Sequence, residues 1–258
     1  MNAIAIGVLA SLLAGLGTGI GAIPLFLPID FSQRLQGIFL GFGGGIMLAA
    51  TAFSLIVPGL EAAIGQGFSQ NTAGLIMVAG TLLGGGAIWL IHNNFPHEHF
   101  HKGKEGQPIS DNFQRIWLFI VAITLHNFPE GLAVGVGFGT GDTASGWALA
   151  SGIGLQNIPE GLVVALALRN LDYPRWYAFG VSLLTGLVEP IGGVVGVSIV
   201  SISQPLLPWG MAFAAGAMLF VIVDEIIPEI NRQGLDQEGT LGVLVGFVLM
   251  MFLDVTLG

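Results

Sequence analysis

Two near-copies of one short word, H-N-F-P-E-G-L-A-V from His126 and Q-N-I-P-E-G-L-V-V from Gln156, stand in otherwise apolar surroundings. On a helix, His126, Asn127 and Glu130 share one face, because side chains three and four positions apart are neighbours. Gln156, Asn157 and Glu160 repeat that geometry. Pro129 and Pro159 lack an N–H donor and crowd the carbonyls of Leu125 and Leu155, so each bend adds a backbone oxygen beside the side chains. Two carboxylates, an imidazole and up to three amides make a mixed nitrogen and oxygen set. Such a set suits a divalent transition metal: zinc, iron, manganese, cobalt or cadmium. Facing carboxylates repel at low dielectric, and a dication between them removes that cost. The competing reading, in which Asn127, Gln156 and Asn157 only join helices by hydrogen bonds, leaves the repeated Glu and the His unexplained.

Further acids extend the constellation. Glu189, in T-G-L-V-E-P-I-G-G, is a third carboxylate followed by proline in an apolar stretch and is a candidate for a second metal position. Asp224 and Glu225 are read either as an exit station for the ion or as headgroup-facing residues, and Asp254 carries no reading. His92, His97, His99 and His101 crowd one loop, and a short His-rich tract reads as metal capture.

The elements that must carry these groups are membrane spans. Only 9% of the residues are charged against 53% hydrophobic, a balance foreign to soluble domains of this size. The net charge of −9 argues against a nucleic-acid partner, and the absence of cysteine excludes disulfides and thiolate metal sites. Eight apolar runs are long enough to cross roughly 30 Å of hydrocarbon: Ala3–Leu27, Gly37–Leu60, Thr72–Ile91, Ile116–Gly139, Ser145–Leu168, Trp176–Val200, Pro208–Ile227 and Leu241–Leu257. The first lacks the basic flank of a signal peptide and is read as a retained span. Arg34, Lys102, Lys104, Arg115, Arg169, Arg175 and Arg232 then all fall in loops on one side. The positive-inside rule makes that side cytoplasmic, with both termini outside. The fold class is therefore an all-α polytopic membrane protein, a single domain over 1–258 with a cytoplasmic His-containing loop over 92–115.

Spans four and five run in opposite directions, so the two Pro-Glu-Gly words sit on inverted helices. A weaker echo links G-I-M-L…V-P-G-L-E (Gly45–Glu61) in span two with G-A-M-L…I-P-E (Gly216–Glu229) in span seven. Inverted repeats and proline-interrupted spans point to a transporter with its substrate held near midplane.

At these residues the chain resembles the ZIP (Zrt/Irt-like) family of divalent metal transporters, most of all its bacterial and GufA-type members. The similarity covers nearly the whole length, and H-N-x-P-E-G in a polytopic protein is a specific word. It implies zinc uptake into the cytoplasm across a bacterial inner membrane, through a binuclear-type site between spans four and five. One position would use His126, Glu130, Gln156, Glu160 and Met47. The other would use Asn127, Asn157 and Glu189, with Glu130 and Glu160 bridging. Some relatives carry Asp where this chain has Asn157, which leaves the second position one charge poorer. The resemblance further implies an elevator-like movement of spans one, four, five and six against the rest, and often a homodimer. Gly41–Gly45 and Gly84–Gly86 would offer low-relief sliding surfaces.

Three rival readings differ in kind. An intramembrane metalloenzyme would need an H-E-x-x-H word, which is absent, so no enzyme and no prosthetic group are expected. A sensor would need a signalling domain. A proton- or sodium-coupled carrier could use Glu130 and Glu160, but would leave His126 and the amides surplus.

Overall fold

A computed structural model describes residues 3–28, 32–94, 124, 127–170, 172–232 and 234–257. Among them the helices are α1 (Ala3–Ala22), α2 (Gln33–Ala49), α3 (Val57–Gly65), α4 (Gln70–Asn94), α5 (127–137), α6 (Thr143–Asn170), α7 (Arg175–Gly186), α8 (Glu189–Ile202), α9 (Leu207–Val221), α10 (Ile227–Arg232) and α11 (Asp236–Leu257). No strand occurs among the described residues.

Among the described residues seven stretches are long and apolar enough to cross a membrane, and α5 is the described part of the expected span four. Large apolar side chains such as Leu75, Leu82 and Trp176 point outward, while Asn127, Glu130, Asn157 and Glu189 are wholly buried. That inversion of the soluble pattern is what lipid as solvent requires. Local signals set several boundaries. Ser32 accepts from Leu35 N–H at 3.3 Å to cap α2, and Asp142 accepts from Ala144 N–H at 2.9 Å to cap α6. The Ser145 hydroxyl and that backbone donor hold the Asp142 carboxyl below its ordinary pKa. Gly67 and Gly141 turn the chain with φ of 93° and 83°.

Two spans depart from simple helices. Span two is continuous over Gln33–Gly65 but contains a π-helical segment, Ala50–Ile56, just before Pro58. Span seven contains the matching segment, Ile222–Ile226, just before Pro228. The weak sequence echo between these spans is thus a shared backbone feature. Span six, expected to be unbroken over Trp176–Val200, is interrupted at Leu187–Val188, between α7 and α8. Glu189 and Pro190 open the new helix, and proline suits a first turn because its missing N–H would have had no partner there.

Glycines decide how the helices pair. A Cβ on Gly17 would lie 2.6 Å from the Gly154 carbonyl, one on Gly131 2.6 Å from Glu189 Cα, one on Gly41 2.9 Å from the Gly239 carbonyl carbon, and one on Gly84 2.9 Å from Phe213 Cα. These contacts join spans one and five, four and six, two and eight, and three and seven. Further close pairs, Gly21 with Ile158, Gly135 with Gly193, Gly45 with Val243 and Gly85 with Gly216, continue each contact with rising residue number in both helices. All four pairs are therefore parallel. Exchanging spans one with six, two with seven, three with eight and four with five maps these pairs onto one another, as an inverted repeat demands.

The result is two bundles, spans one, four, five and six and spans two, three, seven and eight. α6 meets α2 and α11 between them. The expectation that Gly41–Gly45 and Gly84–Gly86 form a sliding surface between bundles needs correction. Gly41 and Gly45 face α11, Gly44 faces Ile226, and Gly84 and Gly85 face α9; within these runs Gly43 alone meets the other bundle, at Gln156. Close parallel pairing inside the second bundle uses the absent side chains first.

Arg34 pairs with Glu238 at 3.4 Å, joining the first turns of α2 and α11, while Gln66 donates to the Gln204 carbonyl at 2.8 Å at the opposite end of span two. Each contact joins span ends that the charge pattern puts on one side. Gly84→Ala should lower stability by about 1–3 kcal/mol through overpacking, whereas Gly86→Ala, with nothing within 4 Å of its Cβ, should be silent. Thermal melts of the two detergent-purified variants check this.

Candidate metal site

The Glu-Gly pairs of the repeated words have separate tasks. Gly131 lets α5 lie against the backbone of Glu189, and a Cβ on Gly161 would stand 2.6 Å from the Thr18 carbonyl carbon on α1. Each glutamate is therefore followed by the residue that allows a neighbouring helix to close over it. α1 contributes a face of small and polar residues, Ser11, Gly15, Thr18 and Ala22, all buried. Ser182 fastens that face by sharing its one hydroxyl proton between the carbonyls of Thr18 at 3.2 Å and Gly161 at 3.0 Å. This seam is legible in the sequence as small and hydroxyl residues at helical spacing, but the reading above did not single it out.

Inside this bundle the carboxylates of Glu130, Glu160 and Glu189 come close enough to repel one another. Glu130 and Glu189 are fully buried, and Glu160 is partly so. The break before α8 places Glu189 in a helix first turn, where unpaired N–H groups favour a negative charge. Asn157 Nδ2 donates to Glu189 Oε1 at 2.6 Å and to the Ala14 carbonyl at 2.8 Å. Gln156 lies near Glu130, with its Nε2 directed at Glu160 through a short hydrogen bond.

The amide hydrogens are thus spent on carboxylates and a carbonyl. Both oxygens of Glu130, Gln156 Oε1, Asn157 Oδ1, Glu189 Oε2 and the two polar atoms of Asn127 remain buried without a hydrogen-bond partner. Buried polar atoms normally find one. Except for Asn127 Nδ2, these atoms are oxygens with electron pairs to give, a set that fits a cation and would repel an anion.

Of the expected ligands, Glu130, Gln156, Asn157, Glu160 and Glu189 are brought together, and Asn127 lies one turn from Glu130 on α5. Met47 is buried in the apolar core that both bundles share, one turn beyond Gly43, whose Cβ would touch Gln156 at 3.1 Å. Asp224 is partly buried in the π-helical part of span seven. His97, His99, His101 and His126 lie outside the described residues, as do the side chains of His92 and Glu225. Among the described residues, no three His, Asp or Glu side chains gather closely enough to cage an ion unaided. Asp254, given no reading above, accepts from Ser54 at 2.6 Å and ties the ends of spans two and eight.

A family model described as ZIP zinc transporter matches residues 92–254. The zinc transporter GufA of Myxococcus xanthus is 48% identical over 98% of this chain and 99% of its own length. The chain belongs to the ZIP family. The zinc transporter ZIPB of Bordetella bronchiseptica is 44% identical over 93% of this chain and 78% of its own, and human zinc transporter ZIP11 is 35% identical over 93% and 94%. Membership accounts for an integral membrane protein that buries Asn127, Glu130, Asn157 and Glu189 among its helices.

Gly131→Ala and Gly161→Ala should each lower the melting temperature, at about 1–3 kcal/mol of overpacking, and should weaken zinc binding by moving Glu130 or Glu160. Melts and titration calorimetry on purified protein test both; unchanged zinc affinity in a destabilised variant would show that these glycines do not position the carboxylates.

Proposed function

We propose that this ZIP member carries zinc into the cytoplasm across a bacterial inner membrane, through the site formed by Glu130, Gln156 and Glu160 with His126. The observation that carries this reading is the buried set of oxygens left without hydrogen-bond partners between α5, α6 and α8. The named activity of the relatives, zinc transport, supports the choice of ion.

The ion sheds water stepwise as carboxylate, amide and imidazole ligands replace it. The carboxylates must be deprotonated to bind, so metal entry releases protons wherever they were held. Glycine-mediated packing supports treating spans one, four, five and six as one moving body, because its contacts are backbone to backbone. Its boundary with the other bundle runs along α6 against α2 and α11, which is where an elevator-like displacement would slide. Asp224 and Glu225 would receive the ion on the inward side, and the loop histidines would take it up weakly. A proton- or sodium-coupled carrier remains the alternative, with Glu130 and Glu160 as a relay.

The test is uptake of radioactive zinc or cadmium into liposomes holding the purified chain. Glu130→Ala and Glu160→Ala should each abolish flux, and flux surviving both would reject the site. Sodium or proton flux without metal would favour the carrier. His126→Ala should reduce zinc transport more than manganese, which prefers oxygen ligands; equal losses would argue against imidazole ligation. Replacing His97, His99 and His101 together should alter regulation of flux without eliminating it.

A further inference from the structure

We infer that the Asn157 amide occupies the role of a second metal ion, so that the transport site holds one divalent cation per chain. This rests on the transport reading above and departs from the binuclear arrangement that the resemblance implies.

Asn157 is fully buried, and its Nδ2 reaches Glu189 Oε1 at 2.6 Å and the Ala14 carbonyl at 2.8 Å. A main-chain carbonyl can only accept a hydrogen bond, and an ionised carboxylate likewise. The amide orientation is therefore dictated by its partners: turned over, Asn157 would set oxygen against oxygen at both. An aspartate at this position would face that same pair with no hydrogen to offer, and a cation or proton would have to lie between. The two N–H groups of Asn157 already stand there, tying Glu189 to α1 and α6.

Charge points the same way. With Glu130, Glu160 and Glu189 ionised, one dication leaves a single negative charge, which Glu189 can hold under the Asn157 hydrogen bond and in the first turn of α8. Two dications would leave a net positive charge in a dry bundle, and uncompensated buried charge is strongly disfavoured. Nor is a second coordination sphere well supplied. Beyond Glu130 and Glu160, which the first ion engages, it could draw on one oxygen of Glu189 and the neutral oxygens of Asn127 and Asn157.

The test counts ions. The full chain carrying His97→Ala, His99→Ala and His101→Ala, so that loop imidazoles add nothing, is purified and its zinc content measured by titration calorimetry and by elemental analysis after equilibrium dialysis. One zinc per chain is expected, rising to two in Asn157→Asp and falling to none in Glu130→Ala. Two ions in the parent, or one in an Asn157→Asp protein that melts normally, would overturn the inference and leave the transport reading standing. Zinc retained by Glu130→Ala would overturn both. A second measurement needs no variant at position 157. X-ray absorption of the zinc-saturated parent should lack the metal–metal scattering expected at roughly 3.5–4 Å for a two-metal site, and its presence would refute the single-ion count.

Discussion

Carboxylates that repel one another must be held together in a place where water cannot separate them. Glu130, Glu160 and Glu189 meet that constraint through backbone packing. Gly131 brings α8 onto α5 at Glu189 itself, and Gly161 brings α1 onto α6 at Thr18. Side-chain packing at these contacts would separate the helices by the width of a methyl group or more and let the carboxylates drift apart. The glycine after each glutamate is thus as much part of the site as the glutamate. Around it, the amides of Gln156 and Asn157 turn their hydrogens toward carboxylates and leave their oxygens inward.

The same device builds the whole molecule. Spans one and five, four and six, two and eight, and three and seven all close as parallel, glycine-lined pairs, and the inverted repeat relates pair to pair. Between the bundles the contact has a different character: at Gly43 a glycine meets a side chain, Gln156, rather than another backbone. The π-helical segments before Pro58 and Pro228 sit in the two spans that the repeat exchanges. They place the same interruption of regular hydrogen bonding at equivalent points in the second bundle. A firm bundle carrying the carboxylates, set against a second one with paired irregularities, would be the physical basis of the relative movement proposed above.

Much of this is legible in the chain itself. Hydropathy delimits the spans because lipid forces each one to satisfy its own backbone. The basic residues give them an expected orientation, and the Arg34–Glu238 and Gln66–Gln204 contacts each join span ends that this pattern assigns to one side. The repeated Pro-Glu-Gly word points to the candidate site, because few residues other than ligands justify a carboxylate at that depth. Other features resist such reading. Leu187 and Val188 are as apolar as their neighbours, so nothing in hydropathy marks the break before Glu189. The glycine runs of spans two and three announce close approach but not the partner, and the partners proved to be α11 and α9.

By itself, then, the sequence determined the class, the span pattern and the residue types of the site, because these follow from transfer of single segments into lipid and from spacing along one helix. Tertiary structure alone decided which helices lie against which, that a backbone carbonyl of α1 reaches Asn157, and that its amide is committed to Glu189. Those facts depend on distances between residues far apart in the chain. No local spacing encodes them, since a hydrogen-bond partner is chosen only once the packed helices bring it within reach.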